Sequence, residues 1–211
     1  MAVTASNAKG SSRSRKRSQR TRRRLLDAAL IMFCENGVDA TTIEEITEKA
    51  DLGKGTFYRY FKNKEAAMVA LVEQAMKNLV ANMHPPSKPH ENLETAVAHV
   101  IEALTSFYAG SPEEFLILFQ GRLLLKLSRD TADDLEQPYM CYLEAIEKEV
   151  APFLPQPVES GKLRRFACAA AGFVSGFFSF ATIGMTPDEM ERGLGPLRHA
   201  FIASATSYLK K

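Results

Sequence analysis

The stretch TTIEEITEKADLGKGTFYRYFKNKE, Thr41 to Glu65, holds two short helical patterns either side of a turn, and the rest of the chain is read outward from it. Thr42 followed three residues later by Glu45 is a capping box, and Ile43 and Ile46 give the apolar stripe of a helix reaching about Ala50. Ala50-Asp51-Leu52-Gly53 then forms a turn, and Lys54 to Tyr60 make a second short helix. Two short helices joined by a tight turn outline a helix-turn-helix.

The second helix has the side chains that a polyanion requires. Its first N–H groups lack helical partners and favour phosphate oxygens. Gly55 keeps no side chain between backbone and groove floor, and Thr56 can donate, accept or press its methyl on thymine. Tyr58, Arg59, Tyr60, Lys62 and Lys64 supply phosphate contacts, which position a protein on DNA without reading its sequence. The fragment GKGT is not a Walker phosphate loop, because that pattern needs GxxxxGK[ST] after a strand, whereas here Glu48 and a helix lie upstream. Phe57 and Phe61, four residues apart, are expected to anchor the helix in the core rather than stack on bases.

The flanks support the same outline. Leu25, Ala29, Met32 and Phe33 follow helical spacing from about Gln19, and Asn36-Gly37 ends that helix. Downstream, Asn63 caps a longer helix from Lys64 to about Met83, with Ala67, Met68, Leu71, Val72, Ala75 and Leu79 as its stripe. The net charge of +2 hides an asymmetry: residues 1–84 carry 15 basic and 9 acidic groups, residues 85–211 carry 12 and 16. Nine Lys or Arg residues lie between Lys9 and Arg24, before the first acid at Asp27. Residues 1–18 are expected to be a disordered basic arm, able to order on a polyanion.

Taken together, TTIEEITEKADLGKGTFYRYFKNKEAAM resembles the DNA-binding domain of the TetR family of bacterial transcriptional regulators. The resemblance covers about Thr21 to Leu71 and rests on Gly37, Thr41-Thr42-Ile43, Gly55-Thr56, Tyr58, Phe61 and Lys64-Glu65. It implies that Thr42, Lys54, Tyr58, Tyr60 and Lys64 touch phosphates while Gly55, Thr56 and Arg59 face the groove. Four features depart from the family pattern: Asp51-Leu52-Gly53 replaces the usual Gly-Val-Ser turn, Thr47 replaces an Ala, Tyr60 replaces a frequent His, and the basic N-terminus is long. These bear on which operator is read, and the missing Ser hydroxyl costs only a few tenths of a kcal/mol as a cap.

Beyond His84–His90, the proline-rich stretch HPPSKPH, the chain reads as all helix. Helices are expected at Asn92–Ala109, Pro112–Leu127, Asp134–Val150, Glu159–Ile183 and Pro187–Leu209, about nine in all. The fold class is therefore all-α, with a helix-turn-helix domain at 19–65 and a larger helical ligand-binding and dimerisation domain at 66–211. Phe166 to Thr186 contains 21 residues without a charge, long enough to span a bilayer. Its Ala, Gly, Ser and Thr content is modest for insertion, so a buried bundle helix and no membrane partner are expected. Ala169, Gly172 and Gly176, with Leu194, Leu197, Phe201, Ser204 and Tyr208, form two stripes suited to a four-helix interface across a two-fold axis.

Such a homodimer brings two recognition helices to double-stranded DNA at a palindromic operator. A small hydrophobic effector is expected among Phe115, Phe119, Arg122, Tyr142, Phe173 and Phe177, where aromatic surface exceeds one core-facing stripe. No HExxH, GxSxG or paired carboxylate appears, so no catalytic residue and no cofactor is expected, and Cys141 between Tyr139 and Tyr142 is expected to pack. His84 and His90 are expected to be solvated linker histidines, with no metal ligand set. The first residues lack an apolar signal region, and three widely spaced cysteines suit a reducing cytoplasm. The function these features suggest is a ligand-released repressor, the alternative being a ligand-independent architectural or constitutive DNA-binding factor.

Overall fold

A computed structural model describes residues 5–83, 90–127 and 129–211, with only the backbone described for 5–12, 123–134 and 187. The proline-rich stretch at 84–89, with His84, lies outside the described residues. Among the described residues there are nine α-helices and no strand: α1 Ala5–Asn36, α2 Ile43–Lys49, α3 Lys54–Tyr58, α4 Lys64–Asn82, α5 Leu93–Gly110, α6 Pro112–Leu127, α7 Arg129–Val150, α8 Lys162–Gly184 and α9 Pro187–Lys210. A single 3-10 turn, Ala151–Phe153, follows α7.

The helix ends follow local chemistry. Gly37 leaves α1 at φ +80°, a left-handed conformation open to glycine, and its N–H donates to the Phe33 carbonyl at 3.0 Å. Asn63 accepts the Ala66 N–H at 2.9 Å to open α4. Three capping boxes start α2, α5 and α9, built by Thr42 with Glu45, Asn92 with Thr95, and Thr186 with Glu189.

The principal departure from expectation is the N-terminus. α1 begins at Ala5, far upstream of Gln19, so the basic stretch expected to be disordered is helical. Arg, Lys and Gln are strong helix formers, no proline interrupts them, and their charges stay in water, since residues 13–20 are all exposed.

The chain divides into two compact units. One comprises the residues up to Glu73 together with Leu116–Asp134, the other Gln74–Phe115 together with Leu135–Lys211. This differs from a single cut after residue 65, because Gln120 Nε2 donates to the Phe33 carbonyl at 3.2 Å and joins α6 to α1. In the first unit α1 packs on α2 and α2 on α3, around buried Leu25, Phe33, Ile46, Phe57 and Phe61. In the second, α5 packs against α8 and α9. Val97, Val100, Ile101 and Leu104 of α5, with Phe166, Val174 and Phe178 of α8, form its interior. α8 is long and apolar enough to cross a membrane by length and composition alone. It also buries one face against α5 and α9, as a core helix does.

Candidate nucleic-acid interface and effector cavity

In the helix-turn-helix, Thr42 spends its donors on its own helix. Its N–H donates to Glu45 Oε2 at 2.7 Å and its hydroxyl to the same oxygen at 2.8 Å, while the Glu45 N–H donates back to the hydroxyl at 3.2 Å. These bonds, from the Thr42 backbone first and its hydroxyl second, with Lys64 nearby, hold the Glu45 carboxyl below its ordinary value. Thr42, expected at a phosphate, therefore fixes α2 in this structure.

Lys64 is similarly committed. Its Nζ donates to the carbonyls of Asp39 at 2.7 Å and Thr41 at 3.0 Å, clamping the loop between α1 and α2. Thr41 is fully buried, and its hydroxyl reaches the carbonyls of Gly37 at 2.7 Å and Met32 at 3.1 Å. Sequence reasoning used Thr41 only as part of a motif. A threonine four residues after a helix-ending glycine was the available signal for this tether.

The turn into α3 is held from α1, where Arg24 Nη2 donates to the Ala50 carbonyl at 2.6 Å and lies 3.4 Å from the Asp51 carboxylate. Asp51 takes φ +50°, a left-handed conformation that Asp tolerates better than most residues. Lys54, the first residue of α3, forms an ion pair with Glu44, both side chains about half exposed. A Cβ at Gly55 would meet nothing within 4 Å, so the backbone of α3 is open to an approaching surface there. Phe57 is fully buried, and Tyr58 stands edge-on to it, 55% exposed.

Thr56, Arg59 and Tyr60 face α1 across a concavity of about 450 Å³ whose other walls are Leu52, Ser14, Arg17, Ser18 and Thr21. The Tyr60 and Ser18 hydroxyls share a hydrogen bond of 3.1 Å. Reading residues 1–18 as an arm missed this wall; the signal available was the unbroken run of helix-forming residues leading into Leu25. Hydroxyls, a guanidinium on each side and an exposed helix backbone together can bind phosphate oxygens and base edges.

The second unit holds a cavity of about 590 Å³ between α5, α8, α9 and the start of α6. Tyr108, Phe115 and Phe178 form its aromatic wall, with ring centroids 5.1, 5.8 and 6.1 Å apart. Leu194 and Met190 continue the apolar lining, and Thr105, Thr182, Glu102, Glu191 and Arg198 supply polar groups. Of the six residues expected to hold an effector, Phe115 alone lines this space. Phe119 and Arg122 belong to the other unit, with the Arg122 guanidinium 5.4 Å from the Phe119 ring centre. Tyr142 is buried elsewhere, Phe173 stacks on Phe201 at 4.5 Å, and Phe177 lies edge-on to Phe178. Helical turning separates this cavity from the expected set: on α8 the residue turned into it is Phe178, next to the expected Phe177. The cation on the wall is Arg198 rather than Arg122.

Among the residues expected at a dimer face, Ala169, Gly172, Leu197, Ser204 and Tyr208 are exposed and Gly176 and Phe201 half-buried. Tyr208 accepts from Arg165 Nε at 2.8 Å. Leu194 is 4% exposed and turns inward to the cavity, which removes it from that face. Phe180 and Ile183, 77% and 80% exposed, were not anticipated and extend the apolar surface of α8. Cys141, expected to pack, is exposed.

Residues 25–71 match the family model of bacterial regulatory proteins, tetR family. The chain is 27% identical over 123 residues to the HTH-type transcriptional regulator YvdT of Bacillus subtilis (strain 168), covering 58% of this chain and 63% of YvdT. It is 26% identical over 144 residues to the fatty acid metabolism regulator protein of the same organism, covering 66% and 69%. In structure it resembles the transcriptional regulator FadR from Bacillus subtilis, solved in complex with stearoyl-CoA, with a TM-score of 0.68 at 19% identity over 88% of this chain and 97% of that one.

Proposed function

We propose that the chain, whose residues 25–71 match the family model of bacterial regulatory proteins, tetR family, is a DNA-binding transcriptional regulator that works as a cytoplasmic homodimer on a palindromic operator. We propose further that it is a repressor released by a small hydrophobic effector with a long acyl chain. The observation that carries this reading is the pairing of an open α3 surface in one unit with a mainly apolar 590 Å³ cavity, walled on one side by three aromatic rings, in the other. A space of that size, apolar over most of its surface with polar groups at its edge, suits a drug-sized or acyl ligand. Arg198 is the group to meet an anionic head, and Tyr108, Phe115 and Phe178 the walls for the chain. The relative that regulates fatty acid metabolism and the fold neighbour holding stearoyl-CoA give the class of effector its chemistry.

An effector acts through its differential affinity for the two conformations. A hundredfold preference for the released one corresponds to about 2.7 kcal/mol, enough for substantial release. The test is operator binding, on a site selected from random duplexes, with and without fatty acids and acyl-CoA esters of graded length. Release by long chains, lost in Phe178→Ala and weakened in Arg198→Gln, is the expected result. Acyl compounds that raise the melting temperature yet leave operator affinity unchanged would overturn the regulatory reading and favour a constitutive DNA-binding factor.

A further inference from the structure

In the second unit His90, His99 and Glu149, none of which lines the cavity, place one ligand atom each within 4.8 Å of one another. His90 lies just ahead of α5, His99 within it, and Glu149 in the last turn of α7. His90 Nε2 is 3.3 Å from Glu149 Oε2, with both side chains largely buried. The His99 ring is 4.8 Å from the His90 ring, and its Nε2 is buried without a hydrogen-bond partner. A buried imidazole nitrogen without a partner is costly, and two imidazoles with one carboxylate are the donor set of many three-residue zinc sites.

We propose that His90, His99 and Glu149 bind a zinc-type divalent cation, with the fourth position left to water. Zinc-to-ligand bonds of about 2.0–2.1 Å put tetrahedral ligand atoms roughly 3.3 Å apart. The His90–Glu149 pair already has that separation. The widest separation exceeds it by about 1.5 Å, a gap that turning the His99 imidazole about its side-chain torsions closes. The last turn of α7 adds the negative end of a helix dipole at Glu149. Imidazole and carboxylate ligands favour zinc, copper or nickel over calcium or magnesium. A bound ion ties the entry of α5 to the exit of α7 and gives the orphaned His99 nitrogen its partner. The site is independent of the reading of the cavity and of DNA binding.

The experiment titrates the untagged full chain, first stripped with chelator, with zinc sulfate by calorimetry, and with cobalt(II) by visible absorption. The expected result is one ion per chain, a raised melting temperature, and the intense cobalt bands of four-coordinate geometry. His90→Gln, ahead of α5, and Glu149→Gln should each weaken binding about tenfold or more while circular dichroism stays unchanged. His199→Gln, at an exposed histidine of α9, should bind as wild type. His99→Gln should abolish the cobalt bands, and if that variant does not fold, the His90 and Glu149 variants decide. Absence of binding by wild type, or equal binding by wild type and the His90 and Glu149 variants, overturns the site and leaves a histidine–carboxylate hydrogen bond.

Discussion

Gly53 occupies the N-cap of α3 with φ −81° and ψ 151°, a backbone any residue adopts, and it offers no side chain to the first amides of the helix. A Cβ there would meet nothing within 4 Å. Gly53→Ser should therefore raise stability by a few tenths of a kcal/mol, seen as a higher urea midpoint at unchanged slope, and should place a hydroxyl beside the incoming phosphates. A lower midpoint would show that the turn needs glycine for another reason. Lys54 next to it is shared between Glu44 and any phosphate. Lys54→Ala should weaken operator and random DNA alike and flatten the dependence of log K on log salt by about 0.9. Glu44→Gln should strengthen both at low salt. Equal salt slopes for wild type and Lys54→Ala would remove Lys54 from the interface. Lys64 obeys a different logic: with its ammonium on two backbone carbonyls, its loss is expected first in melting temperature.

At the scale of elements, the capping boxes of α2 and α9 tie stability to pH. Thr42 holds the Glu45 carboxyl below its ordinary 4.5, and Thr186, by its backbone N–H first and its hydroxyl second, does the same for Glu189. A carboxyl whose folded value is depressed stabilises the fold fully above about 4.5 and loses that contribution as pH falls through the folded value. Glu114 runs the other way: burial pushes its carboxyl up, against the lowering bond from Asn78 at 2.7 Å, so its share is present below 4.5 and lost as pH rises through its folded value. In a Glu114→Gln background the melting temperature should be flat above pH 4.5 and fall below it. Adding Glu45→Gln should flatten that acid limb, and an unchanged limb would show that the box is not formed in solution. The elements themselves were legible because their signals are local: Thr42–Glu45, Asn63, Asn92 and Asn36-Gly37 each state a helix end within four residues of sequence. The start of α1 was not, because a basic run reads alike as a solvated arm or as an exposed helix, and the Ser18–Tyr60 bond that joins it to α3 spans 42 residues. The cavity walls were half legible: α5, α6, α8 and α9 were identified, but which aromatic turns inward depends on how each helix is rotated against its neighbours, which no local pattern states.

For the whole molecule, the question is what covers the outer surface of α8 and α9. Ala169, Gly172, Leu197 and Tyr208 are exposed in the single chain, and Phe180 and Ile183 add large apolar side chains to α8. Apolar area left in water costs about 25 cal/mol per Å², and a second copy of the same face removes it by symmetry. Cβ atoms built at Gly172 and Gly176 meet nothing within 4 Å in the chain itself. That makes Gly176→Ala a control for Gly176→Leu: the methyl has room within one chain, so a loss of dimer in Gly176→Leu with unchanged melting of the monomer points to a partner pressed against the helix. Wild type is expected to run in sizing experiments at twice the 23.4 kDa chain mass and to bind a palindrome with one transition. Gly176→Leu should run as monomer, keep its helical circular dichroism, and lose palindrome affinity far more than half-site affinity, because each α3 surface survives while their spacing is no longer fixed. A dimer that persists in Gly176→Leu would place the interface elsewhere on the chain. Recovery of wild type only in detergent would instead assign the apolar face of α8 to a bilayer.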